Sequence, residues 1–357
     1  MPSKAPTPVF DGHNDVLLRL FKKTGTSTPE NDFLLGDGEG HLDLPRMLQG
    51  GFAGGLFAVY VPSAGLTLDK LNELMRGADY DVPLPSLLEA AAALPTALAM
   101  IAILYRIERA SDGAFMVCRT GGELRRCLET GVIGAVLHME GAEAIDPGLN
   151  ALEVFHQAGL RSLGPVWSRP TIFGHGVPFR FPSTGDTGPG LTDAGKALVK
   201  ACNELGVAID LSHMTEQGFW DVARVSTKPL IASHSNAHAI CPHARNLTDK
   251  QLAAIAHSGG LVGLNFATCF LRPDGQKGEG TEIDLMLRHL DHLIAKLGVD
   301  HVGLGSDFDG AYIPESIGDV KGLPVLVAAL RRHGYDDATL NLLCHENWIS
   351  VLERTWS

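Results

Sequence analysis

The sequence predicts an α/β fold, a (β/α)8 TIM-type barrel with an α-helical insertion after its second strand and helices at its C-terminus. Three observations carry that expectation. Eight short apolar runs rich in β-branched residues recur along the chain, helical segments with recognisable ends lie between them, and ionisable residues gather at one end of the runs. The runs cover residues 8–13, 53–61, 134–140, 160–167, 207–213, 229–234, 261–266 and 302–306. Most are near-continuously apolar rather than alternating, the pattern of parallel strands covered on both faces. Eight such strands alternating with helices close most simply into a barrel.

In chain order, the stretch 62–132 between the second and third runs is too long for one crossover and reads as an insertion of two or three helices. Its most apolar part, 87–105, contains Glu89 and Pro95, which a membrane span rarely tolerates; it reads as an Ala-rich helix packed on the core. Later helices announce their ends. Thr192 opens one that runs to Glu204 and is closed by Gly206, and Thr248 with Gln251 forms a capping box closed by Gly259 and Gly260. A third runs from Glu282 to Leu297 and stops at Gly298, and residues 318–357 read as two helices closing the bottom or side. An open doubly wound sheet is the alternative, but no glycine fingerprint follows the first run. The Gly36-Asp37-Gly38-Glu39-Gly40 segment has no strand before it and reads as a turn. No linker divides the chain, so a single domain over 1–357 is expected.

At ~150 residues per domain, 357 residues would allow two domains, but a barrel with insertions also reaches this length. Hydrophobic residues at 45% and charged residues at 20% describe a globular protein. The net charge of −12, from 41 acidic against 29 basic side chains, argues against nucleic acid or an anionic membrane as the main partner. The first eight residues contain no apolar leader, so a cytoplasmic protein without a membrane segment is expected. Cys118, Cys127, Cys202, Cys241, Cys269 and Cys344 form no CxxC pair and read as buried thiols; only an oxidising compartment would make Cys241 and Cys269 candidates for pairing.

The chemistry sits where the runs end. His13 and Asp15 follow the first run, Glu140 ends the third, His213 the fifth and His234 the sixth, and Asp307 follows the eighth. Each falls at a C-terminal strand end, the face on which barrel active sites are built. Taken singly, any of these histidines would sooner be structural; the joint pattern carries the reading. Three imidazoles with several carboxylates suit Zn²⁺ or a similar divalent ion. They are too many for one catalytic zinc that keeps an open position. Two Zn²⁺ about 3.5–4 Å apart would use them all, with His13 and Asp15 on one, His213 and His234 on the other, and Glu140 bridging. Metal lowers the pKa of a shared water toward ~7, making it a nucleophile, and Asp307 would accept its proton and pass it to a leaving group.

The segments Asp11-Gly12-His13-Asn14-Asp15, Glu140-Gly141, Asp210-Leu211-Ser212-His213, Ser233-His234-Ser235, Cys241-Pro242-His243-Ala244-Arg245-Asn246 and Gly305-Ser306-Asp307-Phe308-Asp309-Gly310 resemble the membrane dipeptidase family, peptidase family M19, within the amidohydrolase superfamily. The resemblance spans residues 11–310. It implies the same two-zinc assignment, makes Asp307 the proton shuttle, and gives Arg245 the substrate's terminal carboxylate; otherwise Arg245 would pair near Asp249. It also implies hydrolysis of short dipeptides, often with a D-residue at the C-terminal side, and in some members opening of β-lactam rings. The family is often dimeric, so a homodimer is an expectation with no segment to assign it to.

One departure stands out. Where the family usually carries a substrate-contacting histidine after strand four, Trp167 stands here, and His175 lies eight residues later in a glycine-rich loop. His175 is a candidate to supply the missing contact, and Trp167 with Phe173, Phe179 and Phe181 to shape an apolar pocket. The substitution leaves an alternative open: an amidohydrolase for N-acyl amino acids, lactams or small cyclic amides.

Overall fold

The computed structural model describes residues 6–23, 28–278 and 280–357. Residues 1–5, part of the stretch read for a leader, lie outside the described residues. Eight parallel strands form the frame: β1 Val9–Asn14, β2 Phe52–Tyr60, β3 Ile133–Glu140, β4 Leu160–Gly164, β5 Ala208–Ile209, β6 Ile231–Ala232, β7 Leu261–Asn265 and β8 Val302–Gly305. Hydrogen bonding runs β5-β4-β3-β2-β1-β8-β7-β6. Between β5 and β6 the contact is a single bridge, Asp210 with Ile231, beside a bond of 2.8 Å from Leu211 N–H to the Ile231 carbonyl. The barrel is therefore nearly closed, with its thinnest seam under residues 210–231.

Three expected strands end early, each for a local reason. β4 stops at Gly164 because Pro165 has no N–H to donate, which leaves Trp167 in the following loop. β5 and β6 are cut short because the Asp210 carboxylate accepts the backbone N–H groups of Ser212 (3.1 Å) and Ser233 (2.8 Å), standing in for a ladder partner. The polar residues beyond these strands are thereby turned over the barrel mouth.

The insertion contains helices Leu68–Leu74, Ala90–Ala110 and Gly121–Thr130. It adds a strand, Phe115–Val117, beside the first residues of β3, and an antiparallel two-residue ribbon joining Tyr80–Asp81 to Arg180–Phe181. Helix Ala90–Ala110 is, among the described residues, the one long and apolar enough to span a membrane. Its Ala93, Ala97, Met100, Leu104 and Ile107 make one buried stripe, as expected of a helix packed on a core. The caps at Thr192 and Gly206, the Thr248–Gln251 pair and the stop at Gly298 stand as expected. All six cysteines are free thiols.

The C-terminal region departs from the two expected helices. Helix Leu323–His333 is followed by Asp337–Asn341, a wider turn at Leu342–Glu346, and helix Asn347–Trp356. Trp348, Val351 and Leu352 of the last helix cluster with Phe10, Leu56, Val136, Ala208, Ile231 and Leu261 and plug the barrel from below. The Trp348 indole lies against Gly12 and Gly303, where a Cβ would overlap it, and against Gly263, where a Cβ would crowd it, and its Nε1 donates to the Leu304 carbonyl at 2.9 Å. Part of the glycine excess is thus room for one tryptophan. Trp348→Ala should lower stability by about 3–5 kcal/mol, the range for deleting a large buried aromatic, and Trp348→Phe by less. Thermal and denaturant unfolding check this; equal midpoints for wild type and Trp348→Ala would contradict the plug.

Candidate metal centre

The ligand-type residues meet at the C-terminal mouth because each follows a strand of the same barrel. His13 Nε2 lies 3.4 Å from Asp15 Oδ2 and 3.7 Å from Glu140 Oε1. His213 Nε2 and His234 Nε2 stand 3.0 and 3.6 Å from the same Glu140 oxygen and 3.1 Å from each other. Asp307 joins His13 and Asp15 in a cluster whose ligand atoms lie within 4.8 Å of one another. All six are buried.

Local backbone makes this crowding possible. Asp307 has φ 61° and Asp309 φ 65°, left-handed conformations that fold the turn back over β1, where Asp307 N–H donates to the His13 carbonyl at 3.0 Å. Gly310 follows, and any Cβ there would overlap the Asp15 and Asp307 carboxylates. Asp309 is held by His41 N–H at 2.6 Å and Arg19 Nε at 3.3 Å. The Gly36–Gly40 segment is the expected turn, its Gly40 (φ 56°) pressed on Arg19 and Asp309.

The electrostatics ask for cations. Burial pushes the Glu140 carboxyl well above its ordinary range and raises Asp307 as well. Burial also holds His213 and His234 far below theirs, while His13, opposed by burial but facing Glu140 and Asp15, is pushed up to about 10. Neither nitrogen of His13 has a hydrogen-bond partner. Imidazole nitrogens and carboxylate oxygens converging in a buried pocket are a donor set that fits borderline divalent cations.

Arg245 is 2% exposed, stacks 5.3 Å over the Phe270 ring, and brings Nη2 to 3.3 Å from His213 Nε2. Its Nη1 donates to the Ser212 carbonyl, and burial lowers its pKa to about 10. Asp249 pairs instead with His292 and Lys296 at 2.7 and 2.8 Å. The cleft above holds about 960 Å³ including its open mouth, and Tyr60, Trp167, Phe179 and Met75 line it beside the cluster. Trp167 lies 5.0 Å from Tyr60 and 5.7 Å from His213. His175 is not brought to the cleft: its Nδ1 stands 3.2 Å from the Gly190 carbonyl, with Gly176 packed under Trp167. Phe173 belongs to the outer core and Phe181 stacks on Tyr80.

Several contributors escape a reading limited to His, Asp and Glu at the expected strand ends. Asn265, at the end of β7, donates to Asp307 Oδ2 at 2.9 Å and to the His234 carbonyl at 3.3 Å. Arg169 is wholly buried, bonds Glu143 Oε1 through Nε (3.0 Å) and Nη2 (2.8 Å), reaches Ser63 and the Val61 carbonyl, and lies 5.9 Å from the Tyr60 ring. It braces the wall carrying Tyr60 and Trp167. The Asp-x-Ser-His spacing at 210–213 was the one available signal for Asp210.

A parallel barrel with this donor set at its C-terminal mouth defines a metal-dependent hydrolase. The chain belongs to the membrane dipeptidase family, peptidase family M19, whose model matches residues 4–356, and it is a metallo-dipeptidase by class. It is similar to a metallo peptidase from Rhodobacter sphaeroides, solved with a phosphinate mimic of the dipeptide L-Ala-D-Ala, at 58% identity and TM-score 0.96 over 98% of this chain and 100% of that one. It is also similar to a solved structure described as the dipeptidase AC, a metallo peptidase of family M19, at 57% identity and TM-score 0.92 over 98% and 99% of the two chains. A Klebsiella pneumoniae protein described as uncharacterized, in the pqqA 5′ region, is 48% identical over 72% of this chain and 94% of its own length.

Arg169→Ala strands the buried Glu143 charge and should cost about 3–5 kcal/mol, whereas Arg169→Met with Glu143→Leu should recover most of it. Denaturant unfolding of the two variants checks this; a double variant as unstable as the single one would mean that packing rather than charge governs the site.

Proposed function

We propose that the chain hydrolyses the peptide bond of short dipeptides, L-Xaa-L-Xaa or L-Xaa-D-Xaa, with two Zn²⁺ ions in its barrel mouth. The observation that carries this is that His13, His213 and His234 converge on one Glu140 oxygen while Asp15 and Asp307 cluster with His13, with the Arg245 guanidinium beside His213. The bound phosphinate dipeptide mimic in the Rhodobacter sphaeroides relative supports the substrate class. His13 and Asp15 would hold one ion, His213 and His234 the other, and Glu140 would bridge. When bound, the pair supplies Lewis acidity that polarises the scissile carbonyl and acidifies water.

The side chains do the rest. Arg245 grips the substrate's terminal carboxylate with a planar fork that a lysine cannot reproduce. Asp307, oriented by Asn265, takes a proton from the attacking water and hands it to the departing amine. Tyr60, Trp167 and Phe179 exclude water from the reacting bond and give an apolar surface to a substrate side chain.

Asp307→Asn should lower kcat by about 10²–10⁴-fold, the usual worth of a general acid–base, with both ions retained by metal analysis. Arg245→Lys should cost on the order of a hundredfold in kcat/KM for free dipeptides. A panel of free and N-acetylated dipeptides assayed with zinc-loaded protein decides the substrate class. Turnover of free dipeptides alone supports a dipeptidase that reads the amine; silence on all of them with two zincs bound moves the substrate to another amide.

A further inference from the structure

Behind the cation ligands, one buried carboxylate touches both halves of the cluster. Asp210 Oδ1 accepts from Ser212 N (3.1 Å), Ser212 Oγ (2.7 Å) and Ser233 N (2.8 Å), and Oδ2 accepts from Ser233 Oγ at 2.6 Å. The single hydroxyl proton of Ser233 is committed to that last bond. Its oxygen, 2.8 Å from His234 Nδ1, can then only accept, so Nδ1 must carry the proton and Nε2 the lone pair. That lone pair faces Glu140 Oε1 at 3.6 Å. Counting hydrogens outward from Asp210 thus determines the tautomer of His234.

The other flank leads to His13. His138 is fully buried, has Nδ1 2.9 Å from Ser162 Oγ, and has Nε2 3.7 Å from Asp210 Oδ2 with no hydrogen-bond partner. The His13 ring stands edge-on to it with centroids 5.5 Å apart, and both His13 nitrogens also lack partners. Ligand atoms of His13, His138 and Asp210 lie within 4.8 Å of one another. Buried polar atoms converging at this spacing are the setting in which a water makes about three hydrogen bonds. His213 is outside this arrangement, since its Nδ1 faces Ser168 Oγ at 2.9 Å.

We propose that Asp210 is the shared positioning residue of both cation sites, orienting His234 through Ser233 and His13 through His138 and a buried water. Outer partners of metal-bound imidazoles fix ring orientation and raise ligand basicity. Here one anion would do so for a ligand of each ion, which couples the two sites without a contact to substrate. The inference rests on the two-cation reading above.

Cadmium-loaded protein tests it, since ¹¹³Cd NMR gives one resonance per site and competition with a chelator gives each affinity. Ser233→Ala should weaken the site of His213 and His234 by about 10–100-fold, leave the site of His13 and Asp15 within about twofold, and be rescued by Ser233→Thr. His138→Ala should do the reverse, and Asp210→Asn should weaken both. Ser233→Ala and His138→Ala that weaken both sites alike, or neither, overturn the proposal, and these two variants decide it even where Asp210→Asn does not fold. A wild-type protein that takes up one cadmium overturns the two-cation reading itself, before any variant is compared.

Discussion

Like charges have to be held together in a dry place. Glu140, Asp15 and Asp307 crowd at the barrel mouth with lone pairs of His13, His213 and His234, and every one is buried. Uncompensated, such a cluster would be expensive to fold around. The surroundings are shaped to meet that cost. Asp307 sits in a left-handed turn tied to the His13 carbonyl, Gly310 lets two carboxylates approach, and Arg245 brings a delocalised cation against His213. A divalent pair would complete what these residues begin, so stability and catalysis draw on the same charges.

Two aspartates below the ligands show how the barrel itself is bent to this purpose. Asp11 accepts from Ser306 N at 2.7 Å and Ser306 Oγ at 2.9 Å, and Asp210 plays the corresponding part between Ser212 and Ser233. Both replace a ladder partner with a side chain at the point where a strand must turn. Their protonation differs. Burial pushes Asp11 up to about 7 despite its Ser306 bonds, whereas at Asp210 burial is outweighed by the facing His138 imidazole and the serine bonds, which hold the carboxyl below its ordinary value. The anion at the thin β5–β6 seam is the better secured of the two.

The eight strands and the polar residues at their ends were legible because both signals are local: an apolar run and the few residues directly after it. Helix ends at Thr192, Gly206, Thr248 and Gly298 were legible for the same reason. The features that stayed hidden depend on partners far along the chain. Nothing near Arg169 announces Glu143, and nothing near Trp348 announces the glycines that receive it. His175 shows the opposite situation: a reactive residue type in a glycine-rich loop near the site in sequence, whose Nδ1 faces the Gly190 carbonyl in a fold that packs Gly176 against the Trp167 backbone. Strand lengths at β5 and β6 failed because a side chain, rather than a neighbouring strand, satisfied the backbone.

The tryptophan under the barrel ties the two ends of the chain into one event. Gly12 lies on the first strand and Trp348 on the last helix, and the indole also rests on strands seven and eight. During synthesis the first strand emerges long before the side chain that fills the space against it. An incomplete chain can pair its early strands, but their inner surface stays open from below until the final helix arrives. Folding of this kind is dominated by contacts of very long sequence separation and is slow for that reason. The exposed strand interiors are meanwhile the surfaces on which a nascent chain is most prone to associate with others.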